Sequence, residues 1–86
     1  MTVWKFVLSP YTQSIYMPDG AQVLSVGAQH QKVCVWALVN PNNPVVPRRF
    51  VLAVTGHDVP GHGRFLGTVI LEGGGLVFHI WEAPAT

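Results

Sequence analysis

Short runs of valine, isoleucine, phenylalanine and tryptophan recur along this chain, and turn residues separate each run from the next. One run follows another at intervals of about ten residues, which is typical of the strands of a sandwich or barrel. No segment repeats its apolar residues at the spacing of a helix. This pattern restricts the chain to an all-β fold.

The runs predict about seven short, mainly antiparallel strands that form a small sandwich or a partly closed barrel. We place them at residues 3–8, 13–17, 22–28, 32–40, 48–55, 65–72 and 76–82. The three glycines at 73–75 permit the positive φ angles of a tight turn and predict a final hairpin. Residues 29–31 are short enough to close another. Nothing resembles a linker, so we expect residues 1–86 to form one domain.

The last predicted strand is apolar on both of its faces. Alternation places Phe78 and Ile80 on one side, and His79 and Trp81 on the other. A domain of 86 residues buries only about 60 to 65% of the surface that its unfolded chain exposes. Shared surface between subunits is the economical way to cover the second face. We therefore expect a homo-oligomer, a dimer or higher.

The charges are few and scattered. The formal net charge is +1, and the five lysines and arginines form no cluster, so duplex nucleic acid is not an expected partner. The longest unbroken apolar run, 33–39, is far shorter than the roughly 18 residues of a membrane span. The N-terminus does not resemble a secretory signal. We expect a soluble protein with no membrane partner.

The single cysteine, Cys34, excludes an intrachain disulfide. It stands among Val33, Val35 and Trp36, where a thiol usually behaves as a small buried hydrophobe. We therefore predict that Cys34 is buried and unreactive. We also expect Trp36, together with Trp4, to fill the core.

Five segments resemble a family of small proteins found mostly in bacteriophages and prophages and known as a domain of unknown function. They are MPDGA at 17–21, LSV at 24–26, VWALV at 35–39, TGH at 55–57 and GGLVFH at 74–79, followed by the acid Glu82. The resemblance extends over nearly the whole chain. It implies a phage-encoded accessory protein in the cytoplasm of the host cell, and it implies no particular activity.

The segment TGHDVPGHGR, at residues 55–64, places two histidines, three glycines, an acid and an arginine between two predicted strands. Strand connections are usually about two to five residues long, so the extra length suggests a task. Arginine offers forked donors to phosphate, and glycine lets backbone N–H groups approach an anion. We predict a ligand-binding site that comprises Thr55, Gly56, His57, Asp58, Arg64, His79 and Trp81.

The histidines admit other interpretations. If successive strands pair as hairpins, His57 and His79 can converge and, with Asp58 or His62, form a zinc ligand set of acceptable type. This spacing matches no recognised motif, and we predict no metal and no other cofactor. Alternatively, His79 is a hydrogen-bonded residue of the core or of an interface, and His57 caps the turn.

Catalysis is not expected, because no motif with a known mechanism is present. A His57–Asp58 or His79–Glu82 acid–base pair remains open. The expected function is a non-enzymatic counter-defence protein that sequesters a small anionic ligand, such as a nucleotide signal. The alternative is a protein-interaction module that blocks a host defence protein or serves as a minor phage structural component. A closed polar cavity would favour the first function, and a flat exposed aromatic patch would favour the second.

Overall fold

The computed structural model describes residues 1–10, 13–59 and 63–84. The strands are β1 (Thr2–Leu8), β2 (Gln13–Pro18), β3 (Gln22–Gln29), β4 (Lys32–Val39), β5 (Val45–Val54), β6 (Arg64–Leu71) and β7 (Leu76–Glu82), with one turn of 3₁₀ helix at Glu72–Gly74. They form two antiparallel sheets, ordered β1-β4-β3 and β2-β5-β7-β6. The sheets share one core and do not close into a barrel, so the predicted all-β sandwich is confirmed.

Within the described ranges, no helix is long and apolar enough to cross a membrane. Each predicted strand is present, and the largest difference is that β5 begins at Val45 rather than at Arg48. Pro47 lies inside β5, although the predicted strand begins only after it, at Arg48. β7 pairs with β5 only from Phe50 onward, so β5 has a partner on one side at Pro47, and a missing N–H is tolerated there.

Both predicted hairpins are present. The β3–β4 turn consists of His30 and Gln31, whose φ angles are 52° and 61°, as in a two-residue turn of type I′. The β6–β7 turn contains Glu72, Gly73 and Gly74, all with positive φ. The amide of Glu72 donates to the Oε1 atom of Gln31 at 3.0 Å, and this bond joins the two turns at one end of the sandwich.

The order of the second sheet differs from a succession of hairpins, because β7 lies between β5 and β6. Both neighbours are antiparallel to β7, so β5 and β6 run parallel to each other. The chain that leaves β5 at one end of the sheet must therefore return to the other end to begin β6. This topology by itself requires a long connection at residues 55–63.

The core lies between the inner faces of the two sheets. Its largest fully buried side chains are Phe50, Met17 and Ile80. The expectation that Trp4 and Trp36 fill the core is wrong. Trp4 points inward from the edge strand β1 but is 39% exposed, and the half-buried Trp36 alternates with inward-facing valines and therefore lies on the outer face.

Cys34 is buried, with 1% of its surface exposed, as the sequence predicts. It shares the outer face of β4 with Trp36, because the core positions of that strand alternate with it. Its Sγ atom lies 3.7 Å from the carbonyl oxygen of Lys32. The chemical inertness of this thiol stays a prediction.

One side of the sandwich is closed by the edge strands β3 and β6, which lie against each other. A Cβ atom at Gly67 would lie 2.7 Å from Cγ2 of Val26, and the φ angle of Gly67 is +152°. Only glycine therefore allows this approach without a shift. Register irregularities between Val23 and Ser25 and between Phe65 and Gly67 interrupt both edges.

Candidate functional site

The outer face of β7 carries Val77, His79 and Trp81, since Phe78 and Ile80 point into the core. On the same face, β6 places Phe65 opposite Trp81, Thr68 opposite His79 and Ile70 opposite Val77. We call these six residues the aromatic face: Phe65, Thr68, Ile70, Val77, His79 and Trp81. The two strands of the β6–β7 hairpin thus present one contiguous surface.

The rings of the aromatic face form a row. The ring centroids of Phe65 and Trp81 are 5.1 Å apart at an interplanar angle of 58°, and those of His79 and Trp81 are 6.3 Å apart at 53°. Such tilted pairs are favourable beyond their buried area. Phe65 is 53% exposed and Ile70 is 59% exposed, so apolar surface remains open to solvent on this face.

Two threonines fix the imidazole of His79. The hydroxyl oxygen of Thr55 lies 2.7 Å from Nε2, and that of Thr68 lies 3.0 Å from Nδ1. A hydroxyl can donate or accept, so both ring nitrogens have partners whichever one carries the proton. His79 is therefore hydrogen-bonded through both ring nitrogens, which agrees with its interpretation as a hydrogen-bonded residue rather than a zinc ligand.

Sequence reasoning missed Thr68, because the predicted strand ends pair Glu72 with Leu76 and place Val69 opposite His79. Glu72 belongs to the turn instead, so Leu71 pairs with Leu76 and Thr68 lies opposite His79. A shift of one residue in the register therefore hid the partner of His79.

Thr55 brings the start of the predicted ligand loop against the aromatic face. Its amide donates to the carbonyl oxygen of Val77 at 3.2 Å, and the amide of His57 donates to Val54 at 3.0 Å and closes a turn. Gly56, His57 and Asp58 are exposed and follow Thr55 directly in sequence. The structure thus brings Thr55, His79 and Trp81 together.

Arg64 lies elsewhere. It is the first residue of β6 and pairs with Glu82, so it points to the side of the sheet opposite to that of Trp81. Glu82 lies five positions beyond Val77, the residue beside Thr55, which corresponds to about 17 Å along the strand. The two ends of the loop are therefore not joined at the sheet, and its length has a topological cause. Pro60, Gly61 and His62 lie outside the described residues.

Gly63 has a packing reason of its own. A Cβ atom there would lie 2.0 Å from the carbonyl oxygen of Glu82 and 2.9 Å from Cα of Ala83. Real Cβ atoms do not approach main-chain atoms so closely, so the passage of the chain beside β7 requires glycine. The approach of an anion is not needed to explain this residue.

Arg48 and Glu82 form an ion pair at the end of the sandwich. Nε and Nη2 of Arg48 donate to the two carboxylate oxygens of Glu82, the second at 3.0 Å, and Nη1 donates to the carbonyl oxygen of Ala21 at 2.8 Å. The hydrogen bond to Glu82 is the main cause that raises the pKa of Arg48 above its ordinary value. The pair ties the second sheet to the residue that precedes β3.

Glu82 is therefore not the acid of an acid–base pair with His79. Three positions separate the two residues on β7, so they point to opposite faces. Among the described residues, no group of three or more histidine, cysteine, aspartate or glutamate side chains is arranged to hold a metal.

A groove of about 380 Å³ adjoins the ion pair. Its lining residues are Ser14, Pro47, Arg48, Arg49, Glu82, Ala83 and Pro84. Arg49 is exposed, and it shares the outer face of β5 with Val51, which pairs with Trp81. The groove therefore lies next to the aromatic face. A smaller cavity of about 200 Å³ opens at the other end, between Leu8, Leu52 and Phe78.

These features define a small two-sheet antiparallel β-sandwich that presents an aromatic face on one sheet. The whole chain, residues 1–86, matches a family described as a domain of unknown function (DUF7352), and the chain belongs to this family. No curated protein and no solved structure matches the chain significantly.

Proposed function

We propose that this protein is a non-catalytic protein-interaction module whose contact surface is the aromatic face. The observation that carries the proposal is the row of Phe65, Trp81 and His79, flanked by the exposed Ile70. Aromatic residues dominate the energetic centres of protein interfaces. Contiguous apolar surface on a soluble domain usually marks such a contact.

The polar groups of the aromatic face support the same proposal. A partner that covers the face removes water from His79 and from the hydroxyl groups of Thr55 and Thr68. These groups already bond to one another at 2.7 and 3.0 Å. Covering them therefore leaves neither ring nitrogen of His79 without a hydrogen-bond partner. Burial of a polar group is costly mainly when its hydrogen bonds are lost. A protein partner can therefore exclude water from the aromatic face without breaking these hydrogen bonds.

The positions of Arg48 and Arg64 favour a protein partner over a small anion on the aromatic face. The guanidinium of Arg48 is engaged by Glu82 and Ala21. Arg64 begins β6 on the opposite side of the sheet from Trp81. An open strand surface offers a small ligand little enclosure, whereas ligand sites usually bury most of their ligand.

The groove beside Arg49 supports a second candidate, the binding of a small anionic ligand such as a nucleotide. Its volume of about 380 Å³ is within the range of about 300 to 1,000 Å³ of ligand pockets. Isothermal titration with ADP tests this candidate. Binding that disappears in Arg49→Ala but persists in Lys32→Ala, at the other end, would support it. Equal heats from Arg49→Ala and the wild type would refute it.

A phage source, which the sequence resemblance implies, makes a host protein in the cytoplasm the natural partner of the aromatic face. A counter-defence role then consists of occupying the functional surface of a defence protein. Blocking of this kind needs no catalytic group on the module.

Capture of a partner by matched variants tests the proposed function. We compare the wild type with Ile70→Lys on the aromatic face and with Leu24→Lys on the other sheet. The side chains of Ile70 and Leu24 are 59% and 49% exposed. Surface substitutions of this kind usually change stability by about 0.5 kcal/mol or less. We expect one cellular protein to bind the wild type and Leu24→Lys and to be lost with Ile70→Lys. Equal capture by both variants would overturn the proposal.

A further inference from the structure

The four edge strands of the sandwich differ in how they are protected. β3 and β6 lie against each other, and both carry a register irregularity. β2 spans six residues and ends in Pro18. β1 spans seven residues, Thr2–Leu8, without a proline, and pairs continuously with β4 on one side. Bulges, prolines and covering elements are the usual protection of an edge, and β1 has none of these among the described residues.

The side chains of β1 are apolar on both faces. Val3 and Val7 on the outer face are 51% and 45% exposed, and Trp4 on the inner face is 39% exposed. The ring centroids of Trp4 and Phe6 lie 6.4 Å apart, so the inner face of β1 carries an aromatic pair. An edge with this composition favours the addition of another strand.

Lys5 is the one charged residue of β1, and an edge lysine ordinarily discourages pairing. Here its Nζ atom donates to Oε1 of Gln29 on β3 at 2.6 Å. Since β4 lies between β1 and β3, this bond directs Lys5 back across its own sheet and away from the free edge. The charge therefore does not guard the strand.

We infer that β1 is a dimerisation edge, on which β1 of a second copy pairs antiparallel and extends the three-stranded sheet to six strands. A two-fold axis satisfies both free edges at once. Residues opposite each other share a face, so an axis at Lys5 places Val3 against Val7 of the second copy and Trp4 against Phe6. The two copies of Lys5 then lie opposite each other at the axis, each bonded to Gln29 of its own copy, and apolar pairs flank them on both faces.

The size of this contact sets its strength. Seven paired residues extend over about 23 Å, and they are fewer than the roughly 20 to 30 residues that each partner contributes to a standard interface. Pairing along β1 therefore gives a weak dimer, with a dissociation constant in the micromolar range or above. The aromatic face on the other sheet stays free for a different partner.

Sedimentation of the full chain from about 5 to about 500 µM, a range chosen for an interface of this size, tests the inference. We expect the mass to rise from 9.4 kDa towards twice that value with concentration. Val3→Lys combined with Val7→Lys adds four lysines to the seam beside the two copies of Lys5, and we expect this variant to stay monomeric throughout. The matched control, Leu24→Lys combined with Ile70→Lys, should associate like the wild type.

Hydrogen exchange of the wild-type protein at the two ends of that range gives a readout that needs no variant. Amides of β1 should exchange more slowly at the high concentration, while those of β2, the other free edge, should not change. A wild type that is monomeric at every concentration would overturn the inference. Unchanged β1 exchange, or a Val3→Lys, Val7→Lys protein that associates like the wild type, would do the same.

Discussion

Replacing Arg48 with methionine removes three hydrogen bonds that join β5, β7 and the residue before β3. Breaking a buried ion pair from one side costs about 3 to 5 kcal/mol. The side chains of Arg48 and Glu82 are 19% and 18% exposed, so water recovers part of that loss. We therefore expect Arg48→Met to lower the free energy of unfolding by about 2 to 3 kcal/mol.

Urea denaturation and thermal melting measure this effect. For a domain of this size, 1 kcal/mol shifts the melting temperature by about 4 to 8 °C, so Arg48→Met should melt roughly 10 to 20 °C below the wild type. The control is Arg49→Met, which removes the same charge from the next, exposed residue and should cost about 0.5 kcal/mol or less.

A second substitution separates the ion pair from other effects of Arg48. Glu82→Met added to Arg48→Met removes the uncompensated carboxylate, so the double variant should be more stable than the sum of the single losses predicts, by about 2 kcal/mol.

The raised pKa of Arg48 contributes stability that is present below the pKa of the unfolded state and is lost only as the pH rises through the folded value. The cost of Arg48→Met should therefore be constant from about pH 7 to about pH 10. Additive losses, or equal melting of the Arg48 and Arg49 variants, would refute this reasoning.

Three further predictions concern stability and reactivity. Gly67→Ala should cost about 2 kcal/mol in urea unfolding, because its φ angle and the nearby Val26 exclude a Cβ atom; an unchanged midpoint would contradict this. Cys34→Ser should cost about 1 to 3 kcal/mol, and the native thiol should react slowly with a labelling reagent, so rapid labelling would show that the site is open. His30→Asn should stabilise the protein by about 0.5 kcal/mol, because the φ angle of His30 is 52° and asparagine tolerates that conformation, while Gln31 keeps its bond to the amide of Glu72; a lower melting temperature would count against the turn geometry.

The strands were predictable because a period of two residues and clear turns specify where a strand runs and which face is apolar. Val77, His79 and Trp81 accordingly share the outer face of β7, as their alternation indicates. Alternation does not specify which strands are neighbours. The insertion of β7 between β5 and β6 could not be read from the chain, so the length of the 55–63 connection was attributed to a task.

Burial at the edges of the sandwich was also beyond the sequence. Trp4 has the right parity for the core, but its exposure depends on how far the opposite sheet extends. The bond between Arg48 and Glu82 joins residues 34 positions apart, and nothing in their local surroundings indicates it. Thr55 and His79 belong to one predicted site, and they do lie together, with the hydroxyl oxygen of Thr55 2.7 Å from Nε2 of His79. That this site binds a ligand stays a prediction.

The central claim is that the aromatic face meets a protein partner, and photo-crosslinking in cells that produce this protein naturally tests it most directly. A photo-reactive amino acid replaces Ile70 on the aromatic face or, as the control, Leu24 on the other sheet, since both side chains are about half exposed. We predict one crosslinked protein from position 70 and none of that mass from position 24. Crosslinking needs close approach, and side chains that pack in a contact lie at van der Waals distance. The same product from both positions, no product from position 70, or a product with the mass of two copies of this chain would contradict the claim.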